Sequence, residues 1–518
     1  MMLRTTADWV FLGLLFAIGV TGLLIEGIRL AVEQPAWAWP WNPVGVPLAT
    51  ALEAVYWGDL ASVYVTTWWV HAIIALGFIA YLPYSKAVHM LASGASLALR
   101  DDDAGRRLPA VPESTDAGEQ GYRELEDFSW EHLLEADACT KCGRCHEVCP
   151  ARQAGTDLSP RDIILDIRQS LATDGGTVVD DTISSDRLWA CTTCRACIEA
   201  CPVGIEHVPQ IVQMRRALIE DGEMDSNLQG TLMDLMQREN SFGESAKKRA
   251  KWTRQLESRP TDARRESVEY LWYVGDYASY HDTGTPRART LARLFAAADV
   301  DFGILYEDEA NAGNDVRRVG EEGLFEMLAE QNIETLERCE YDRIVTTDPH
   351  VLNTLRNEYP DLDFEADVIH YTTLLREFLA DGTLELAGSL DGRATYHDPC
   401  YLGRYNEVFD APRDLIEATG VELVEMDRNR SDSFCCGAGG GRIYMDTSDV
   451  ETRPSVMRIE EAREIDDIEY FVVACPKDMA MFTDAAKAVE GDIEVIDILD
   501  LVAADLKAPR LEAEVAVA

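Results

Sequence analysis

Cysteines in two short runs offer the densest ligand chemistry in this chain. The first run is Cys139-x-x-Cys142-x-x-Cys145-x-x-x-Cys149-Pro150. The second is Cys191-x-x-Cys194-x-x-Cys197-x-x-x-Cys201-Pro202. Three thiolates at that spacing wrap three irons of a cubane, and the fourth arrives from elsewhere, so each run is a [4Fe–4S] binding pattern. Zinc knuckles space their ligands two-plus-two, which neither run does. The chemistry expected of such a pair is one-electron transfer.

The runs resemble those of bacterial two-cluster ferredoxins, in which the fourth cysteine serves the other cluster. The resemblance implies one cluster on Cys139, Cys142, Cys145 and Cys201 and another on Cys191, Cys194, Cys197 and Cys149. A further constellation is Cys400, then Cys435-Cys436-Gly437, then Cys475-Pro476-Lys477-Asp478. Its four thiolates suffice for a third iron–sulfur cluster. Asp478 is then an oxygen ligand or a surface residue; buried free thiols are the alternative reading. Cysteines clustered at metal spacings argue for a reducing compartment and against a disulfide framework.

The elements that must position these thiols show as a repeat when the chain is laid over itself. YLWYVGDY (Tyr270–Tyr277) matches ATYHDPCY (Ala394–Tyr401), NAGN (Asn311–Asn314) matches CCGAGGG (Cys435–Gly441), and YDRIVTTDPHV matches IEYFVVACPKD. Strands alternating with helices imply two α/β units. At the ligand positions the first unit has Asp276, Asn311, Ala312, Asp348 and Val351, and its Cys339 is out of register. That unit reads as a retained fold without a cluster, or as a hard-metal site of Asp276, Asp348 and His350. The second unit resembles the cysteine-rich CCG domain of heterodisulfide reductase catalytic subunits. Iron–sulfur subunits of glycolate and lactate oxidases and of glycerol-3-phosphate dehydrogenase share that domain. Its full motif ends in Cys-x-x-Cys, and the five thiolates hold a non-cubane cluster that cleaves a disulfide. Here Asp478 stands at the last position.

Near the N-terminus, Trp9 to Ile25 is uncharged, and a second apolar stretch runs from Ala61 to Pro83. Both are long enough to span a hydrocarbon core of about 30 Å. Pro35 to Asp59, rich in Trp and Pro, reads as an interfacial hairpin or amphipathic segment. Lys86, Arg100, Arg106 and Arg107 follow the second span and put its C-terminal end in the cytoplasm. His71 and His89 are eighteen residues apart. On one continuous helix they would share a face, about 27 Å apart. WWVHAIIALGFIAYLPYSKAVHM resembles the last helix of the gamma subunit of respiratory nitrate reductase and of the related heterodisulfide reductase cytochrome b subunit. There each histidine binds a different haem, which implies His71 and His89 as candidate b-type haem ligands. The opposite ligands in that family come from an earlier helix with two more histidines, and here no other His precedes His132. Haem binding thus calls for a haem-bearing membrane subunit, a homodimer or an upstream segment. The open alternative is a bare anchor, with His71 bonded to a neighbouring helix.

The fold class expected is multidomain: N-terminal transmembrane helices, a helical two-cluster ferredoxin domain and a C-terminal tandem α/β CCG repeat. The boundaries read are a membrane anchor at 1–100, a linker at 101–125, the ferredoxin-type domain at 126–245, a degenerate CCG-type unit at 266–385 and a CCG-type unit at 391–505. The net charge is −45 over 518 residues, and residues 1–100 hold five acids against four bases, so the soluble part carries nearly all of it. Such a surface disfavours nucleic acid and suits high salt, as in a halophile; an acidic docking face for a basic redox partner is the other reading. The order of parts resembles membrane-bound iron–sulfur oxidoreductases related to heterodisulfide reductase. That implies electron transfer between a soluble flavoprotein of the electron-transfer-flavoprotein type, or a dehydrogenase, and quinone at the cell membrane. A thiol–disulfide reductase and a non-catalytic anchoring subunit are the alternatives. No dinucleotide-type phosphate loop is present in a strand–turn–helix context, so bound NAD or FAD is not expected.

Overall fold

The computed structural model describes residues 6–35, 41–85, 87–111, 120–173, 176–448, 450–491 and 493–507. The chain divides into two compact units, Met1–Ala98 with Asp137–Thr140, and Leu99–Ala136 with Lys141–Ala518.

In the first unit the helices Thr6–Glu33 and Leu60–Tyr81 are the two long apolar ones, each long enough to cross a membrane. The first runs past the expected end at Ile25. Arg29 pairs at 2.8 Å with both Glu26 and Glu33 on the same helix, so its charge is met within the helix. Of the Trp- and Pro-rich segment, residues 36–40 lie outside the described residues, as does Lys86. The rest contains the helix Gly45–Val55, whose Val46 and Ala49 pack on Leu30 and Ala31. Asp59 caps the second long helix by accepting from the Ala61 N–H.

One expectation fails here. His71 and His89 do not share a helix: Leu60–Tyr81 ends in a tight turn at Leu82–Tyr84, and Val88–Leu99 is a separate helix. Pro83 lies in that turn and has no N–H to continue the ladder. The ring of His71 is hydrogen-bonded through Nδ1 to Thr21 Oγ1 on the neighbouring long helix, at 2.8 Å.

In the second unit the cysteine runs, from Cys142 in the first and Cys191 in the second, sit on loops leading into one-turn helices, Arg144–Glu147 and Ala196–Glu199. Two longer helices back them. Pro160–Ala172 is capped by Ser159 and buries Ile163, Ile164 and Ile167; His207–Glu220 is buried along most of its length. Of the expected linker, residues 112–119 lie outside the described residues. Residues 101–111 form an ordered strap with Ala104 and Leu108 buried. Buried arginines bind its carbonyls: Arg318 to Gly105, Arg317 to Leu108 and Arg216 to Pro109.

Two all-parallel sheets follow. The first has β1 (Thr261–Asp262), β2 (Val268–Tyr273), β3 (Phe302–Ile304), β4 (Tyr341–Thr346) and β5 (Val368–His370), in the order β1-β3-β2-β4-β5. The second has β6 (Arg393–Tyr396), β7 (Glu422–Leu423), β8 (Tyr470–Val473) and β9 (Glu494–Asp497), in the order β7-β6-β8-β9. Apart from the edge strand β1 the orders coincide, β2 corresponding to β6 and β4 to β8. Strands such as LWY and FVV are buried without alternation, as parallel sheets covered on both faces require. In each sheet the connections reverse direction between its two central strands, β2 and β4 or β6 and β8. Beyond their carboxyl ends such a switch point opens a crevice that the following loops line.

Candidate metal centres

The two cysteine runs share an unusual backbone. Lys141 (φ 60°) and Gly143 (φ 84°) in the first correspond to Thr193 (φ 49°) and Arg195 (φ 62°) in the second. All four are left-handed, and a β-branched threonine there is under strain. Such turns aim N–H groups inward: Thr193 N–H reaches Cys191 Sγ and Ile205 N–H reaches Cys201 Sγ, each at 3.4 Å. Cys142 is exposed and Cys201 half-buried, whereas Cys191, Cys194 and Cys197 are all buried. Burial pushes the Cys149 thiol up to about 12 and raises Cys197 as well, whose neighbouring charges include Cys191, Cys149, Cys145 and Cys201. Cys145 and Cys197, one from each run, lie in the same buried cluster.

The second switch point carries the other thiols. Cys400 follows β6, Cys475 follows β8, and Cys435-Cys436 opens the glycine turn. Hydrogen bonds from Cys194, Cys400 and Cys436 hold the Cys435 thiol well below its usual range, helped by the Gly437 N–H at 3.4 Å. Cys194, from the ferredoxin-type run, thus belongs to the same buried group as Cys400, Cys435 and Cys436. Cys475 turns to different company. Its sulfur forms a group with Asp348 and His350 in which all ligand atoms lie within 4.8 Å of one another. Asp276, expected beside Asp348 and His350, is instead held by Arg249 at 2.7 Å and by Asn311 at 2.6 Å. Asp478 is buried; burial raises its carboxyl to about 7, and its Oδ2 lies 3.6 Å from His397 Nε2.

Close contact with the Cys191–Cys197 loop explains the glycines of the turn. A Cβ on Gly439 would stand 2.5 Å from the Thr192 carbonyl oxygen, and one on Gly440 2.6 Å from that of Cys191. The seam is laced by Thr193 Oγ1 with Tyr401 at 2.9 Å, and by Arg215, which donates to the carbonyls of Cys191 (2.6 Å) and Gly440 (3.1 Å). Tyr401 stacks on Tyr405 at 4.0 Å and on His350 at 4.1 Å. Beside the seam, a hollow of about 240 Å³ reaches Thr192 and Gly437. It shares Thr156, Arg442 and Met445 with a wider cleft of about 630 Å³ whose walls include Trp189 and five carboxylates.

These residues fit iron–sulfur groups. The donors are buried thiols supported by backbone N–H groups, and two fully buried polar atoms beside them, Arg404 Nη2 and Asp478 Oδ2, have no hydrogen-bond partner. Nothing in the sequence pattern singles out Arg404, Tyr401 and Tyr405. The only signal is their place just after Cys400, and their partners lie more than two hundred positions away.

Comparison with known proteins agrees with this chemistry. Residues 132–205 match a 4Fe–4S dicluster domain, and residues 272–356 and 394–483 match the cysteine-rich CCG domain. A Bacillus subtilis protein named "probable iron-sulfur-binding oxidoreductase FadF" is 34% identical over 94% of this chain and 77% of its own length. The EtfAB:quinone oxidoreductase of Syntrophomonas wolfei is 31% identical over 96% of this chain and 77% of its own. A subunit of the dihydromethanophenazine:CoB–CoM heterodisulfide reductase of Methanosarcina barkeri is 29% identical over 72% of this chain and 94% of its own. By its domains and by relatives that align along nearly its whole length, the chain belongs to the iron–sulfur oxidoreductases related to heterodisulfide reductase.

Proposed function

We propose that this chain is a membrane-anchored electron conduit between a soluble flavoprotein of the electron-transfer-flavoprotein type, or a dehydrogenase, and the quinone pool. The observation that carries the reading is the seam itself: Cys194 of the ferredoxin-type run lies in one buried group with Cys400, Cys435 and Cys436 of the CCG unit. Iron–sulfur groups bound there supply one-electron carriers. The thiols of Cys139, Cys142, Cys145 and Cys201 hold one, those of Cys191, Cys194, Cys197 and Cys149 a second. Cys400, Cys435, Cys436 and Cys475 hold a third in the C-terminal unit of a tandem α/β repeat. The residues around the seam exclude water and fix the loops. A relative named EtfAB:quinone oxidoreductase supports the choice of partners.

In this reading the two long helices anchor the chain, and the soluble part lies on the cytoplasmic side, where thiols stay reduced. His71 serves helix packing through Thr21. The acceptor at the membrane is quinone, or a separate haem-bearing subunit. The acidic surface suits work at high salt.

The test is to purify the full chain anaerobically in detergent, measure iron and acid-labile sulfide, reduce it with a flavoprotein donor and add a quinone analogue. About twelve irons per chain, four for each cubane, with reoxidation by quinone are expected. Reoxidation by a disulfide but not by quinone would overturn the conduit in favour of a thiol–disulfide reductase.

A further inference from the structure

Buried arginines in this protein differ in how their charge is met, and eight of them show the contrast. Arg216, Arg249, Arg317, Arg318, Arg413 and Arg458 each pair with a carboxylate within 3 Å. Arg215 and Arg404, both almost fully buried, pair with no carboxylate among the described residues. A buried guanidinium without a counter-ion is costly, by several kcal/mol. Both sit on the cysteine seam.

Arg404 is the more telling of the two. Its Nε donates to the carbonyl of Cys194 at 2.6 Å, and its Nη1 to the carbonyls of Ser431 (3.0 Å) and Ser433 (2.6 Å). Its own carbonyl accepts from Arg195 Nη1 at 3.0 Å. Nη2 has no hydrogen-bond partner. The charged groups that act on it most strongly are the thiols of Cys194, Cys400 and Cys435, with Glu199 behind them. Carbonyl oxygens satisfy its hydrogen bonds but not its charge. The geometry agrees: the Cys194 carbonyl it binds belongs to the buried group of Cys194, Cys400, Cys435 and Cys436, so an anion held by those sulfurs would answer its charge.

We propose that Arg404 is the internal counter-charge of the third iron–sulfur group, the one assigned above to Cys400, Cys435, Cys436 and Cys475, and that it sets that group's reduction potential. Reduction adds one negative charge beside a fixed guanidinium in a water-excluded place, so the reduced form is stabilised and the potential is raised. The bond to the Cys194 carbonyl also fixes the guanidinium between the C-terminal thiols and the ferredoxin-type loop. The inference rests on the presence of a third centre, and the wild-type protein tests that first.

The experiment is a mediated redox titration followed by electron paramagnetic resonance. It uses the full-length, anaerobically purified chain as wild type, Arg404→Gln and Arg404→Lys. A wild type with no signal beyond two ferredoxin-type centres refutes the third centre itself. With that signal present, Arg404→Gln is expected to keep wild-type iron and to lower the potential of the third centre. Arg404→Lys, which keeps the charge, is expected to lie nearer wild type, and the centre on Cys139, Cys142, Cys145 and Cys201 to move least. Equal third-centre potentials in all three proteins would overturn the proposal. So would loss of iron from both variants, because Arg404 would then only hold the loop.

Discussion

The two parallel sheets place the same crevice at the same point of the same strand order and fill it differently. At the ends of β6 and β8 stand Cys400 and Cys475, with Arg404 facing thiols. At the ends of β2 and β4 stand Asp276 and Asp348. Asp276 is matched to Arg249, and Asp315 nearby is matched to Lys477, which comes from the other unit of the repeat. The first crevice has closed around two buried cations, Arg249 held by Asp276 and Glu309 and Lys477 by Asp315. The second keeps a cation whose partner must be supplied. A fold can thus keep its crevice and lose its chemistry, provided the buried charges are paired again.

The sharpest way to break this comparison is at the glycine turns. Gly440→Ala would drive a methyl against the Cys191 carbonyl, at a φ of 62°. A cost of about 3 kcal/mol or more is expected, with loss of the third centre. Gly313→Ala, in the matching turn, meets only the edge of the Phe325 ring at 2.7 Å. It should cost about 1–2 kcal/mol and leave iron unchanged. Thermal unfolding and iron analysis of the two variants decide this; equal iron in both would erase the distinction.

Mirror-image substitutions of the ligand positions come next. Cys400→Ala should lower iron by about four atoms of about twelve. Asp276→Ala should lower none, yet destabilise by about 3 kcal/mol by stripping Arg249 of one buried partner. Iron lost from Asp276→Ala would show that the first crevice also holds a metal.

A smaller effect separates the ends of the last strands, where His370 closes β5 and Asp497 closes β9. Burial lowers His370 to about 3 and raises Asp497 to about 7, so both are neutral over the acidic range. The unfolded chain protonates His near 6.5 and deprotonates Asp near 3.9. His370 therefore costs stability as pH falls from about 6.5 to 3, and Asp497 costs stability as pH rises from about 4 to 7. His370→Asn should flatten the acid side of the melting-temperature profile, and Asp497→Asn should remove the decline between pH 4 and 7. Parallel changes in the two variants would contradict the assignment.

The smallest effect concerns Cys339, the one cysteine of the first unit of the repeat, half-buried with its thiol donating to the Thr335 carbonyl at 3.3 Å. Cys339→Ser should change neither iron content nor stability beyond about 0.5 kcal/mol. A loss of iron would give that unit a ligand after all.

How much of this was legible in advance follows from distance along the chain. The cysteine runs and the strand–helix alternation were readable because ligand spacing and burial of consecutive strand residues are local properties. The ordered strap at residues 101–111 was not, since a charged, proline-bearing stretch reads as a linker until arginines from positions 216, 317 and 318 are seen to bind its carbonyls. His71 and His89 misled for the converse reason: an apolar run with helical spacing looked continuous, and the turn at Pro83 separates them.

By itself the sequence determined the chemistry available: which residues can hold iron, which spans are apolar enough for a membrane, and that one repeat unit lacks thiols at the ligand positions. Those follow from side-chain type and near-neighbour spacing. Only the tertiary structure decided that Cys194 meets Cys435, that Cys475 turns to Asp348 and His350, and that Arg404 is left without a carboxylate. Such pairings join residues far apart in sequence. They are set by how the cysteine loop packs onto the second sheet, and no local pattern carries them.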